Sequence, residues 1–247
     1  LANRDYSFGF LKEIGALDEE CKITKYGSDL LNLVNNSVGI SIYYAHSILC
    51  YKKLFSEEKS AEFFGGYLAV LISMSSELIQ ESMSENLVKI FNVNSDILTL
   101  FKATQILLHS EIKNVEEYQI FVESYGFSYS SFLYFKQALF ELFELIFNRK
   151  IERFTKPTSD NSEGTGSVVC EEIERLTKND LLICEEIEKL TKKPKELIAN
   201  VDKFVTIYLS VKSDWHDLHA ISYNFVKDAN GYESRPTLFF SGSSHLK

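Results

Sequence analysis

The stretch from Leu11 to Leu31 constrains the fold more than any other part of the chain, because residues with special backbone roles follow one another closely. Gly15 predicts the end of a helix, since glycine readily adopts the left-handed conformation that closes many helices. An acidic turn follows at residues 18–20, and Thr24 is a residue type that caps helices. We therefore predict a helix, a tight turn, a short strand at residues 22 and 23, and a second helix.

The same residues resemble a motif of the DEAH-type ATP-dependent RNA helicases. The order Ile-Gly-Ala-Leu-Asp at residues 14–18, followed by Ile-Thr-x-x-Gly at residues 23–27, is similar to the signature of the winged-helix domain that follows the two motor domains in that family. The chain departs from the signature at Lys25, where the family usually has Pro, and at Ser28, where it usually has Arg. The resemblance implies a winged-helix corner.

Three later segments resemble the same family in the order that the family keeps. Residues 95–100 are similar to the segment that opens a helix in the ratchet-like helical domain. Residues 118–145 have the apolar and aromatic character of a later region of that domain, with residues 123–127 at its loop entry and residues 132–143 in its long helix. Residues 238–245 resemble a strand and loop of the family's oligonucleotide-binding fold, with Gly242 in place of Pro. The paired arginines of the family's long helix are absent, so the electrostatic part of the family's RNA contact lacks its usual residues.

The resemblance implies a mainly α fold with a partial winged helix, a helical ratchet-like bundle and then a small or partial β-barrel at the C-terminus. We expect four units: residues 1–54 as an N-terminally truncated winged helix, 55–154 as the ratchet-like bundle, 155–200 as a linker with repeated amphipathic helices, and 201–247 as the start of an oligonucleotide-binding fold. Because the sequence begins at Leu1 with no leader pattern, we expect a piece of a longer polypeptide, with a divergent viral helicase as one possible parent.

Residue spacing independently favours helices. Apolar residues recur every three to four positions at Phe132, Phe135, Leu139, Phe143 and Phe147, which is typical of a helix packed in a core, although aromatic residues in such a row can also stack on bases. Residues 61–81 form another helical pattern, with a glycine pair at 65 and 66 as a close-packing point or a break. Residues 201–209 fit a helix or a strand, and residues 220–226 and 237–240 have the pattern of strands.

A short duplication follows residues 155–167, which have the Pro, Gly, Ser and Thr composition of a linker. The sequence Cys-Glu-Glu-Ile-Glu-Arg-Leu-Thr-Lys at residues 170–178 recurs at residues 184–192 with Lys in place of Arg, a spacing of 184 − 170 = 14 residues. The pattern predicts an amphipathic helix, or two helices broken near Asn179 and Asp180. We favour packing on the chain's own domain over a partner-binding coiled coil, because coiled coils need about three or more sustained heptads.

Charge and cysteine usage limit the classes of function. The formal net charge of −9 disfavours extended phosphate contacts, which normally need clustered Lys and Arg. The four cysteines include no Cys-x-x-Cys pair, which indicates free thiols in a reducing compartment, and we expect a cytoplasmic protein. The longest apolar run, residues 67–72, is far shorter than the roughly 20 residues of a spanning helix, so we expect no membrane association.

Catalytic motifs are not visible. Residues 18–21 (Asp-Glu-Glu-Cys) mimic the acidic motor motif, but they follow a helix end rather than a strand, and the sequence contains no Gly-x-x-x-x-Gly-Lys-Ser/Thr phosphate loop. His216 and His219 lie three apart beside carboxylates, yet no third ligand has a recognisable spacing. His46 and His109 each lie alone in apolar helical patterns, which favours hydrogen-bonded core histidines over ligands.

The resemblance implies that this chain helps to enclose and hold single-stranded RNA while missing motor domains, present in cis, hydrolyse ATP with magnesium. No cofactor is expected in this segment itself. The candidate RNA-contacting residues are Ser95, Asp96, Thr99, Ser243, Ser244, Lys192 and Lys193. The alternative is a non-catalytic helical interaction or scaffold protein with no nucleic-acid role, which the acidic charge and the absent paired arginines favour.

Overall fold

The computed structural model describes residues 2–37, 40–80, 84–90, 95–112, 114–150, 179–191, 193–213, 219–224 and 237–241. These residues are mainly helical, as the sequence predicts. The helices are α1 (Ala2–Glu13), α2 (Lys25–Asn36), α3 (Ile42–Lys53), α4 (Lys59–Leu78), α5 (Glu85–Ile90), α6 (Asp96–Leu108), α7 (Val115–Ser124), α8 (Tyr129–Phe147), α9 (179–191) and α10 (Pro194–Ser213).

Helix α4 lies at the centre of the bundle. It packs against α3, α6, α8 and α10, and every residue from Phe63 to Leu71 is buried. A helix that is apolar on all sides is expected to be surrounded by other elements. The apolar run noted in the sequence is therefore the middle of the core helix.

Two adjacent glycines allow neighbouring helices to approach α4. A Cβ atom at Gly66 would overlap the Leu142 side chain of α8, and one at Gly65 would lie 3.3 Å from the Tyr51 ring of α3 and 3.4 Å from the Phe204 ring of α10. The glycine pair predicted as a packing point or a break is thus a close-packing point within one continuous helix.

One hydrophobic core includes buried residues from each of the helices α2 to α10. The predicted division into four units stays a prediction, and α10 runs without interruption across the boundary placed between residues 200 and 201. The segment at 201–209, which fitted either a helix or a strand, is part of this helix.

The C-terminal part contains two described strands, β1 (His219–Asn224) and β2 (Thr237–Ser241), which pair antiparallel with a register irregularity between His219 and Ser222. This single two-stranded ladder does not show the expected β-barrel. Within the described residues, no helix is both long enough and apolar enough to cross a membrane.

Candidate nucleic-acid interface

The predicted corner is present between α1 and α2. Gly15 has a φ of 75°, and the amides of Ala16 and Leu17 both donate to the Leu11 carbonyl, which closes α1. Leu17 then pairs with Ile23 in an isolated antiparallel bridge. The predicted helix, turn and second helix are therefore confirmed in this order, and in place of the short strand predicted at residues 22 and 23 the structure has a single bridge at Ile23.

Polar contacts inside the corner fix the turn and the start of α2. The Asp18 carboxylate accepts a hydrogen bond of 2.8 Å from the Lys22 amide. The Thr24 hydroxyl accepts from the Gly27 amide at 3.0 Å and donates to the Gly15 carbonyl at 2.6 Å. Thr24 thus caps α2 as predicted, and the acidic residues around Asp18 form a turn rather than a motor motif.

Gly27 allows α2 to begin directly against the corner. A Cβ atom there would overlap the backbone carbonyl of Ala16, which cannot rotate away as a side chain could. The glycine of the Ile-Thr-x-x-Gly pattern is therefore required by packing. Each of the matched residues Gly15, Asp18, Thr24 and Gly27 has a structural role within the corner.

Three candidate RNA-contacting residues lie together at the start of α6. Ser95 is the N-cap residue, and its hydroxyl accepts from the Leu98 amide at 3.3 Å. Asp96 is exposed in the first turn, whereas Thr99 is 3% exposed and donates to the Ser95 carbonyl at 3.3 Å. Asp96 is thus the most accessible of the three, while Ser95 and Thr99 have local structural roles.

Of the four remaining candidate RNA-contacting residues, Lys193 is the one that the structure describes. Lys193 is exposed just before α10 and pairs with Glu196 at 3.0 Å. Lys192, Ser243 and Ser244 lie outside the described residues. The structure therefore brings together only the group at the start of α6.

The aromatic row of α8 faces the core, as the helical spacing predicts. Phe132, Phe135 and Leu139 are fully buried, Phe143 is 2% exposed, and Phe147 packs partly buried against the same core. The Phe143 and Phe147 rings pack edge to face against the Phe63 ring, and the Phe132 and Phe135 rings stack on each other. They cannot stack on bases in this conformation.

Lys136 on α8 is buried and takes part in an ion pair that spacing did not predict. Its Nζ lies 2.6 Å from Asp180 Oδ2, with the two side chains 4% and 6% exposed. The same Nζ lies 3.4 Å from the Tyr118 hydroxyl. Burial raises the pKa of Asp180 to about 6, against the lowering effect of Lys136. The Lys136 side chain therefore forms its ion pair within the bundle.

A second polar cluster joins α2 to α3. The Tyr26 hydroxyl lies 2.6 Å from His46 Nδ1, and Cys50 Sγ lies 3.6 Å from His46 Nε2. Burial raises the pKa of the Cys50 thiol and lowers the pKa of His46, with Lys53 adding to the lowering. Both shifts favour the neutral forms of these groups, and a cysteine nucleophile needs a thiolate, so the surroundings of Cys50 do not favour a nucleophilic role.

The two isolated histidines differ from each other. His46 is hydrogen-bonded and partly buried, which confirms a structural role. His109 is exposed at the end of α6, 3.7 Å from Glu188, so its predicted core position is wrong. No group of three or more potential metal ligands occurs among the described residues, and residues 214–218, which include His216, lie outside them.

No protein-family model, curated protein or solved structure matches the chain.

Proposed function

We propose that this chain is an accessory C-terminal region of a DEAH-type ATP-dependent RNA helicase and helps to hold single-stranded RNA. The observation that carries the proposal is the corner between α1 and α2. Its local geometry agrees with the helicase-like signature at residues 14–18 and 23–27. Gly15 closes α1, Thr24 caps α2, and Gly27 lies against the corner backbone. The bridge between Leu17 and Ile23 takes the place of the strand that the resemblance implies between the two helices.

The order of the later elements supports the same proposal. The helicase-like segment at residues 95–100 opens α6 with a Ser95 cap, and the segment at residues 118–145 covers the end of α7 and most of α8. Both helices pack against α4, in the part of the bundle that follows the corner. Motor domains in cis, with ATP and magnesium, belong to the proposed parent protein.

A charge-gain experiment at the start of α6 tests the RNA contact. Binding of a labelled single-stranded oligoribonucleotide to the 247-residue chain is measured by fluorescence anisotropy over a salt series. Asp96→Lys should tighten binding several-fold at low salt and steepen the salt dependence by about one unit, because one more cation meets the phosphate backbone. Asp202→Lys, on the exposed side of α10, is the matched control.

The outcome distinguishes a local contact from general attraction. An equal gain in RNA affinity in both variants would mean that binding depends only on the net charge of the chain. An absence of any binding at low salt would refute an RNA-holding role for this chain. Helix content should be compared by circular dichroism, since Lys in the first turn opposes the helix dipole by about 0.3–1 kcal/mol.

The second candidate is a helical interaction or scaffold protein, and the burial of Lys136 favours it. In the helicases, the corresponding long helix carries paired arginines for the RNA contact. Here Lys136 is the cation within α8, and it is buried against Asp180. With a formal net charge of −9, this candidate predicts the absence of RNA binding at every salt concentration.

A further inference from the structure

Helix α9 lies in a groove that we define by three residues contacting it: Ser60 of α4, His109 at the end of α6, and Lys136 of α8. The Ser60 hydroxyl donates to Glu186 at 2.8 Å, and His109 lies 3.7 Å from Glu188. The apolar face of α9 is fully buried in the groove through the side chains Ile183, Cys184 and Ile187. The second copy of the duplicated sequence, which begins at Cys184, is thus an integral part of the bundle.

Most of these contacts involve residues that both copies of the duplication contain. Cys184, Glu186, Ile187 and Glu188 correspond to identical residue types 14 positions earlier, at 170, 172, 173 and 174. Ile183 corresponds to a valine at position 169, which is similar in shape. The groove contacts from position 183 onward therefore discriminate poorly between the two copies.

The residues before position 183 differ between the copies: the buried Asn179 corresponds to a threonine at position 165, and the largest difference is at the ion pair. Asp180, which pairs with Lys136 at 2.6 Å, corresponds to Gly166 in the first copy. If the first copy occupied the groove, the buried Lys136 would lose its carboxylate partner. Leaving one charge of a buried pair uncompensated is strongly unfavourable, and single buried polar pairs are known to fix the register of helices.

We infer that the Lys136–Asp180 ion pair selects which copy of the duplicated sequence occupies the groove. The groove accepts the Cys-Glu-Glu-Ile-Glu pattern of either copy, and Asp180 directs the second copy into it. The first copy is the competing occupant, excluded by the glycine at position 166. This selection does not depend on whether the chain binds RNA.

Chain length permits the exchange. Placing the first copy in the groove would bring position 166 to Lys136 and leave residues 151–164 to connect it to the end of α8. Lys136 precedes the α8 C-cap residue Asn148 by 12 positions, which is about 18 Å along a helix. An extended segment of 14 residues reaches about 46 Å. The connection is therefore long enough for either copy.

Thiol labelling reports which copy is docked. Cys184 is 1% exposed in α9, whereas Cys21 is exposed in the corner and serves as an internal standard of full reactivity. A short pulse of N-ethylmaleimide followed by peptide mass spectrometry gives the labelling rate of Cys184 and of Cys170 separately in the same molecule. In the unmodified chain, labelling of Cys184 should be at least tenfold slower than that of Cys21.

Gly166→Asp supplies the missing carboxylate to the first copy while Asp180 stays in place. Two copies that compete equally would each dock for about half of the time, so labelling of Cys184 should rise at least about fivefold and labelling of Cys170 should fall about twofold. Gly164→Asp adds the same charge two positions out of register and should leave both rates unchanged. The double variant Gly166→Asp/Asp180→Gly should exchange the protection from Cys184 to Cys170.

Two results would overturn the inference. One is an unchanged rate at Cys184 in Gly166→Asp, and the other is an equal effect of Gly164→Asp. Gly166→Asp keeps the Lys136–Asp180 pair, so the folded reference state remains accessible in this variant. A circular dichroism spectrum and an unfolding midpoint for each variant detect a general loss of structure. Such a loss would give Cys170 no protection from labelling, whereas exchange of the copies would protect it.

Discussion

The buried ion pair between α8 and α9 provides the most direct test of the packing. Removing one partner at a time, with Lys136→Met or Asp180→Leu, leaves the other charge in a site where the native side chains are only 4% and 6% exposed. Removing both partners leaves two apolar side chains in the same site. The three variants form a double-mutant cycle.

The expected costs follow from burial. Breaking a buried pair from one side costs about 3–5 kcal/mol of unfolding free energy, because a buried charge loses its partner. Asp180→Leu should show this cost fully, since the Tyr118 hydroxyl at 3.4 Å offers Lys136 only weak compensation. The double variant should cost less than either single variant, because apolar replacement of a buried pair is often neutral or stabilising.

Urea unfolding followed by circular dichroism at pH 7 measures these differences. The exposed pair between Lys193 and Glu196 is a matched control, since its N–O distance is 3.0 Å but its side chains are 77% and 47% exposed. Lys193→Met should therefore cost at most about 1 kcal/mol. If Lys136→Met and Asp180→Leu each cost as little as this control, the reasoning that the pair anchors α9 in the core would be refuted.

One further prediction concerns the corner. Gly27→Ala should destabilise the chain by more than about 2 kcal/mol in urea unfolding, because its Cβ would overlap the Ala16 carbonyl. Gly9→Ala, with open space around it in α1, should be neutral or stabilise by up to about 1 kcal/mol. Equal effects of the two substitutions would contradict the packing of α2.

The corner could be predicted because its determinants are local. The helix end at Gly15 and the cap at Thr24 depend on backbone preferences and on hydrogen bonds across a few residues. The same holds for Ser95, which caps α6 through a bond to a residue three positions away. The helical pattern of α8 was also visible, because its buried residues recur at the helical period.

The polar clusters could not be predicted because their partners are distant in sequence. Lys136 and Asp180 are 44 positions apart, and Tyr26 and His46 are 20 positions apart. Periodicity identifies the buried face of one helix, but it does not identify which polar residue of another helix meets it. For the same reason, the sequence placed His109 in the core, although the end of α6 exposes it beside α9.

This distinction between local and long-range determinants also decides how far the helicase resemblance extends. The matched residues of the corner explain a turn, a cap and a close backbone approach, and none of them needs RNA to account for its presence. Phosphate binding requires cations at a shared surface, yet Lys136 is used inside the bundle. The charge-gain comparison between Asp96 and Asp202 is therefore more informative about function than any further agreement with the signature, because it tests RNA binding, which the local geometry of the corner leaves open.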